Sequence, residues 1–167
     1  MNVDAYEKFW MWASGGIIVV FIASVLFTSA AQSLQPPSHV ETIDPMAVRS
    51  TPGFDQPGVT LNVDGSATVH VIAQMFSFSP NEIHVPRGRP VTFRITSPDV
   101  THGFQIVKTN GNSMVIPGYV SQFTTRFDDA GEYLIVCNEY CGLGHHVMFA
   151  TMYVEDGLSM ASEEVAR

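Results

Sequence analysis

The stretch Cys137-Asn138-Glu139-Tyr140-Cys141-Gly142-Leu143-Gly144-His145-His146-Val147-Met148 constrains this chain more than any other. It holds both cysteines of the protein, two of its six histidines and a methionine. Donor side chains fall at 137, 141, 145 and 148, spacings of four, four and three. Thiolate, imidazole and thioether form the soft-to-borderline set that suits copper. Zinc accepts the first two but rarely a thioether. The same spacings would line one face of a helix, yet Gly142 and Gly144 would each cost about 1 kcal/mol inside one. Glu132-Tyr133-Leu134-Ile135-Val136, just before, reads as a strand. A Cys137–Cys141 disulfide is the competing reading outside the cytosol. It leaves His145, Met148 and the Gly-x-Gly without a purpose.

A loop of this kind needs a scaffold, and the pattern from residue 67 onward supplies one. Val69, Val71 and Ala73 share one face of a run at 67–75, and Val91, Phe93 and Ile95 share one face of another. Phe123, Thr125 and Phe127 do the same in 120–127, with further strands expected at 81–86, 102–107, 132–137 and 147–155. Turn signals separate them: Pro86-Arg87-Gly88, Ser97-Pro98-Asp99, Asn110-Gly111-Asn112, Pro117-Gly118 and Asp128-Asp129-Ala130-Gly131. Regular short strands bounded by Gly and Pro indicate an all-β antiparallel sandwich or barrel.

The N-terminal part differs in kind. Phe9 through Ala31 carry no charge, and these 23 residues would span roughly 35 Å as a helix. That matches a bilayer core of about 30 Å, with Trp10 and Trp12 at the interface. Ser29-Ala30-Ala31 offers a peptidase site, but the run is longer than a signal-peptide core and only Lys8 precedes it against Asp4 and Glu7. A retained anchor is expected. Lys8 before the span, and no Lys or Arg after it until Arg49, place the N-terminus inside and the cysteine loop outside. Pro36, Pro37, Pro45, Pro52 and Pro57 break up the next stretch. The expected divisions are an anchor at 1–34, a linker at 35–66, a β domain at 67–155 and a loose tail at 156–167. The net charge of −8 excludes nucleic acid as a partner, since no basic patch could neutralise phosphates.

The pattern Cys-x-Glu-x-Cys-Gly-x-Gly-His-x-x-Met closely resembles the binuclear copper (CuA) loop of cytochrome c oxidase subunit II. The order of one membrane segment, a linker and a β domain ending in this loop resembles the short form in B-type (ba-type) haem-copper oxidases. The resemblance implies a cupredoxin-like Greek-key fold. It implies that Cys137 and Cys141 bridge two copper ions, with His102 on one and His145 on the other. Met148 and the backbone carbonyl of Glu139 would be weak axial donors. His102, in Thr101-His102-Gly103-Phe104, opens a strand after the Pro98-Asp99 turn and can therefore lie beside the loop.

The implied role is the electron-entry subunit of a terminal oxidase in a bacterial or archaeal cell membrane. It would take electrons from a cytochrome c or small copper protein. It would pass them to haem in subunit I, which also holds CuB, for oxygen reduction coupled to proton pumping. The segment Gln74-Met75-Phe76-Ser77-Phe78 resembles the family's aromatic electron-entry segment, with Phe76 the candidate; the alternative is core packing beside Phe78 on a shared strand face. The Glu139 side chain reaches a magnesium or manganese ion in many relatives; solvation or an interface hydrogen bond is the reading favoured here. His146, one residue off the spacing, reads as a surface residue or a support behind the ligands, and His39, His70 and His84 as solvated. The competing functions are a membrane-anchored copper chaperone, which would need βαβ patterning, and a single-copper cupredoxin, which would leave Cys141 idle. A nitrous oxide reductase shares the loop but carries a large histidine-rich domain.

Overall fold

The computed structural model describes residues 4–31 and 41–157. The chain divides into two compact units, Met1–Leu34 and Gln35–Arg167. The first contains one helix, α1, Ala5–Ala31. Its start is set by Asp4, whose carboxylate accepts the Tyr6 N–H at 2.6 Å, while Glu7 reaches back to the Asp4 N–H at 3.4 Å. This is a capping box, and it satisfies donors that the first turn leaves open. At about 40 Å and a mean hydropathy of 2.1, α1 is long and apolar enough to cross a membrane.

The second unit is a two-sheet sandwich. Its strands are β1 (Glu41–Thr42), β2 (Gly58–Leu61), β3 (Ala67–Gln74), β4 (Ser77–Ser79), β5 (Glu82–Pro86), β6 (Pro90–Thr96), β7 (His102–Ile106), β8 (Asn112–Val115), β9 (Tyr119–Arg126), β10 (Gly131–Val136) and β11 (Phe149–Glu155). One sheet runs β1-β9-β6-β3-β2, with β4 on β3; the other runs β5-β11-β10-β7-β8. Most pairs are antiparallel, but β3 with β6 and β11 with β5 are parallel. Parallel neighbours need a crossover, and here the chain makes it by changing sheets. The alternation read from the sequence decides which side chains meet. Val69, Val71, Ala73, Val91, Phe93 and Ile95 are all buried between the sheets. Phe93 stacks on Phe123 at 5.1 Å, and Phe104 meets Phe78 edge-on at 5.6 Å. This is the cupredoxin-like all-β fold implied by the resemblance.

Residues 41–66 differ from a linker. Asp44 caps a 3-10 turn, Pro45–Ser50, by accepting the Met46 N–H at 2.9 Å, and Pro45 sits where its missing N–H costs nothing. Prolines therefore shape this segment rather than dissolving it. Val48 and Phe54 are buried with Ile72 and Val120 in a second small core on the outer face of the first sheet. The tail expected at 156–167 falls almost wholly outside the described residues, as does His39.

Candidate metal centre

The site forms where the turn before β7 meets the connection between β10 and β11. Ser97, Pro98 and Asp99 bring the chain round so that His102 opens β7, fully buried. Strand β7 pairs with β10 through Ile106 opposite Ile135 and Gln105 opposite Val136, which sets His102 beside Cys137. The two chains approach closely because residue 103 is glycine. A Cβ there would lie 2.9 Å from the Asn138 backbone nitrogen, closer than real contacts allow.

The donors expected from the sequence come together. The ligand atoms of His102, Cys137 and Cys141 lie within 4.8 Å of one another, and all three residues are buried. The two sulfurs are 3.8 Å apart, far beyond the roughly 2.05 Å of a disulfide. Around them the other donors divide evenly. Cys137 Sγ has His102 Nδ1 at 3.9 Å and the Glu139 carbonyl oxygen at 3.2 Å. Cys141 Sγ has His145 Nδ1 at 3.7 Å and Met148 Sδ at 3.6 Å. Each sulfur therefore has one imidazole and one weak donor of its own. A 3-10 turn, His145–Val147, brings His145 and Met148 to the same sulfur. His146 is exposed, as is the Glu139 side chain.

These residues fit a soft-metal group. A separation of 3.8 Å is less than twice a metal–thiolate bond of about 2.3 Å, so one ion can touch both sulfurs. Without metal the Cys141 thiol is pushed up to about 11, first by burial and then by Cys137 beside it. Such thiols must lose protons to bind a metal.

The nearest supporting residue was not singled out from the sequence. Asp99 Oδ1 accepts the His102 Nε2–H at 2.9 Å, fixing the tautomer that leaves Nδ1 facing Cys137. Asp99 Oδ2 accepts the Met75 N–H at 2.7 Å, tying the β3–β4 hairpin to the same carboxylate. Burial opposes ionisation of Asp99 most strongly. The hydrogen bonds from His102, the Met75 and Val100 amides and Ser97 outweigh it and hold the carboxyl below its ordinary value. The available signal was an acid three residues before a candidate histidine ligand.

Phe76 and Phe78 do not share a face. Phe78 points into the core, whereas Phe76 sits in the hairpin turn, 37% exposed. The Phe76 ring lies against the loop, where a Cβ on Gly144 would come within 2.5 Å of it and one on Gly142 within 3.0 Å. The Gly-x-Gly therefore makes room for an aromatic cover. Tyr140, 75% exposed, lies over His145 with ring centroids 5.9 Å apart. His70, read as solvated, is instead half-buried beside Phe54 and Arg94. His84 is exposed but engaged, pairing with Glu155 at 3.0 Å and stacking on Tyr153 at 5.0 Å.

Fold and site define a class: a cupredoxin-like domain following a helix able to span a membrane, with a paired-cysteine metal site at one end of its sandwich. Residues 67–154 match the family model of the cytochrome c oxidase subunit II periplasmic domain. The chain is 42% identical over 156 residues to a cytochrome c oxidase subunit 2 of Thermus thermophilus, covering 91% of this chain and 93% of that one. A chain in the cryo-EM structure of a heme-copper terminal oxidase dimer superposes with a TM-score of 0.67 and 29% identity, covering 90% of this chain and 99% of that one. The crystal structure of the periplasmic domain of subunit II from Bradyrhizobium japonicum shares the fold, with a TM-score of 0.54, 20% identity, and coverage of 66% and 96%.

The chain belongs to the cytochrome c oxidase subunit II family. It is the electron-transfer subunit of a haem-copper oxidase, an oxidoreductase complex, and its cysteine–histidine cluster is a copper site. The chaperone reading also lacks its βαβ pattern: among the described residues α1 is the one α-helix.

Proposed function

We propose that His102, Cys137, Cys141, His145, Met148 and the Glu139 carbonyl hold a binuclear copper centre of the CuA type. The supporting observation is the even division of donors: two sulfurs 3.8 Å apart, each with its own imidazole and its own weak donor. A single-copper site would have no use for the second set. When bound, the group would supply a one-electron acceptor. The protein's part is to hold the donors still. Asp99 fixes His102, Phe76 covers the loop glycines, and buried packing keeps water from the thiolates. Donors already gathered by the fold need little rearrangement when charge changes.

In this reading electrons come from a cytochrome c or small copper protein and leave to haem in subunit I. The surface over the loop suits a protein donor. Phe76, Tyr140, Leu143 and Val147 are exposed there, with Glu139 and His146 among them. Phe76, in contact with the loop and open to solvent, is the entry candidate. The copper unit stands on the periplasmic or outer side, α1 is its anchor, and the chain is of the short B-type form. The exposed Glu139 side chain is read as solvated or as an interface hydrogen-bond acceptor.

The test is metal content and paramagnetic resonance of the full chain in detergent. Two coppers per chain and hyperfine splitting from two equivalent nuclei are expected. One copper with a blue spectrum, or zinc with no copper uptake, overturns the reading.

A further inference from the structure

The outer face of the first sheet carries a cluster that the copper site does not use. Arg94 on β6 is its centre. Its Nη2 donates to both carboxylate oxygens of Glu41 on β1, at 2.5 and 2.6 Å. Its Nη1 lies 3.2 Å from Nε2 of His70 on β3. Its guanidinium sits over the Phe54 ring at 5.8 Å, and the Phe54 ring meets His70 edge-on at 5.2 Å. Gly53 packs on the imidazole so closely that a Cβ there would fall 2.7 Å from Nε2. Glu41, Gly53 and Phe54 all belong to residues 41–56. The cluster thus fastens this segment to the sheet, together with the buried Val48 and Phe54 and a hydrogen bond from Arg49 to Gln74 at 2.7 Å. In the chain this is the segment that joins the α1 unit to the rest of the sandwich.

The chemistry of the fastening has one weak member. A guanidinium only donates hydrogen bonds. His70 Nε2 must therefore accept, so the ring is neutral with its proton on Nδ1. Arg94 Nε is itself buried without a hydrogen-bond partner, so the side chain has no other acceptor in reach there. We propose that His70 makes the docking of residues 41–56 proton-sensitive: a proton taken up at Nε2 removes the acceptor of Arg94, sets imidazolium against guanidinium, and loosens the segment. The charged groups facing His70 are Arg94 on β6, Glu41 on β1 and Asp55 in the turn after the 3-10 helix. Burial first and Arg94 second hold His70 below the ordinary imidazole value of 6.5, against the opposing pull of Glu41 and Asp55. Because the burial that depresses it is supplied by Gly53 and Phe54 of the docked segment, docking is strongest while the ring is neutral and weakens as pH falls toward the docked-state value. Acidity would thereby set how much of the time residues 41–56 stay docked on the sheet.

The test is hydrogen exchange of the full chain in detergent, at about pH 7.5 and about pH 5, corrected for the intrinsic rate of each amide. Peptides covering 41–56 should open more often at the lower pH, because the released segment leaves His70 freer to take up a proton. Peptides from β10 and β11, in the other sheet, should not change, which separates local release from global unfolding. His70→Gln keeps an acceptor for Arg94 and does not titrate, so its 41–56 peptides should stay protected at both pH values. A flat response in the wild type overturns the proposal. So does an unchanged response in His70→Gln, which would put the proton on Glu41 or Asp55. Should the variant fail to fold, the wild-type His70 ring resonance decides: its titration midpoint must coincide with that of the opening, and a mismatch rejects the proposal.

Discussion

The ring of Phe76 and the Cβ that Gly144 lacks occupy almost the same place, and this makes a clean test of how the loop is held. Gly144 has φ −90, so alanine is acceptable to the backbone and the conflict is purely steric. Gly144→Ala should cost about 1 to 3 kcal/mol in thermal unfolding, the usual penalty of overpacking. Adding Phe76→Ala should recover much of it. Equal, additive losses would show that the ring does not rest on residue 144. Asp99→Ala leaves His102 Nε2 without its acceptor. It should weaken copper affinity about 10- to 100-fold, the range for removing a ligand's orienting partner, while two coppers still bind at saturation. The loop spacing was legible at this scale, because four donors within twelve residues need no fold to be seen. His145→Ala should destroy the paramagnetic signal and His146→Ala should spare it. The reverse result would shift the ligand register by one. Asp99 and the Phe76 cover were not legible, since each acts across a gap in sequence that only the folded pairing closes.

Among the elements, β3, β6 and β9 could be read from alternation because the inner face of each is mostly apolar, while the outer face is covered only in part. Residues 41–66 could not. Their prolines and polar residues resemble a linker, and their two strands are short. The buried residues are Val48, Phe54 and Leu61, too few and too unevenly spaced to make a period. His70 was misread for the same reason: its burial comes from that segment and not from its own strand. Phe54→Ala should therefore cost about 3 kcal/mol in stability and raise exchange throughout 41–56. Copper stoichiometry should be unchanged, because none of the donors lies in that segment. Loss of copper in Phe54→Ala would mean the segment supports the site directly.

For the whole molecule, the helix and the sandwich are separate compact units, each legible from composition: one uncharged run and one field of short strands. With α1 retained as the anchor, the protein should stay in the membrane fraction after carbonate washing, and mass spectrometry should find residues ahead of 31. A mature N-terminus near 31 would rule that out. The donors also carry a consequence for timing. Cys137, Cys141, His145 and Met148 are neighbours in any state of the chain, but His102 joins them only when β7 has paired with β10. Such distant pairing is slow to form. Until it forms, the two thiols have the loop's own donors but not His102. The complete donor set exists only once that pairing has formed.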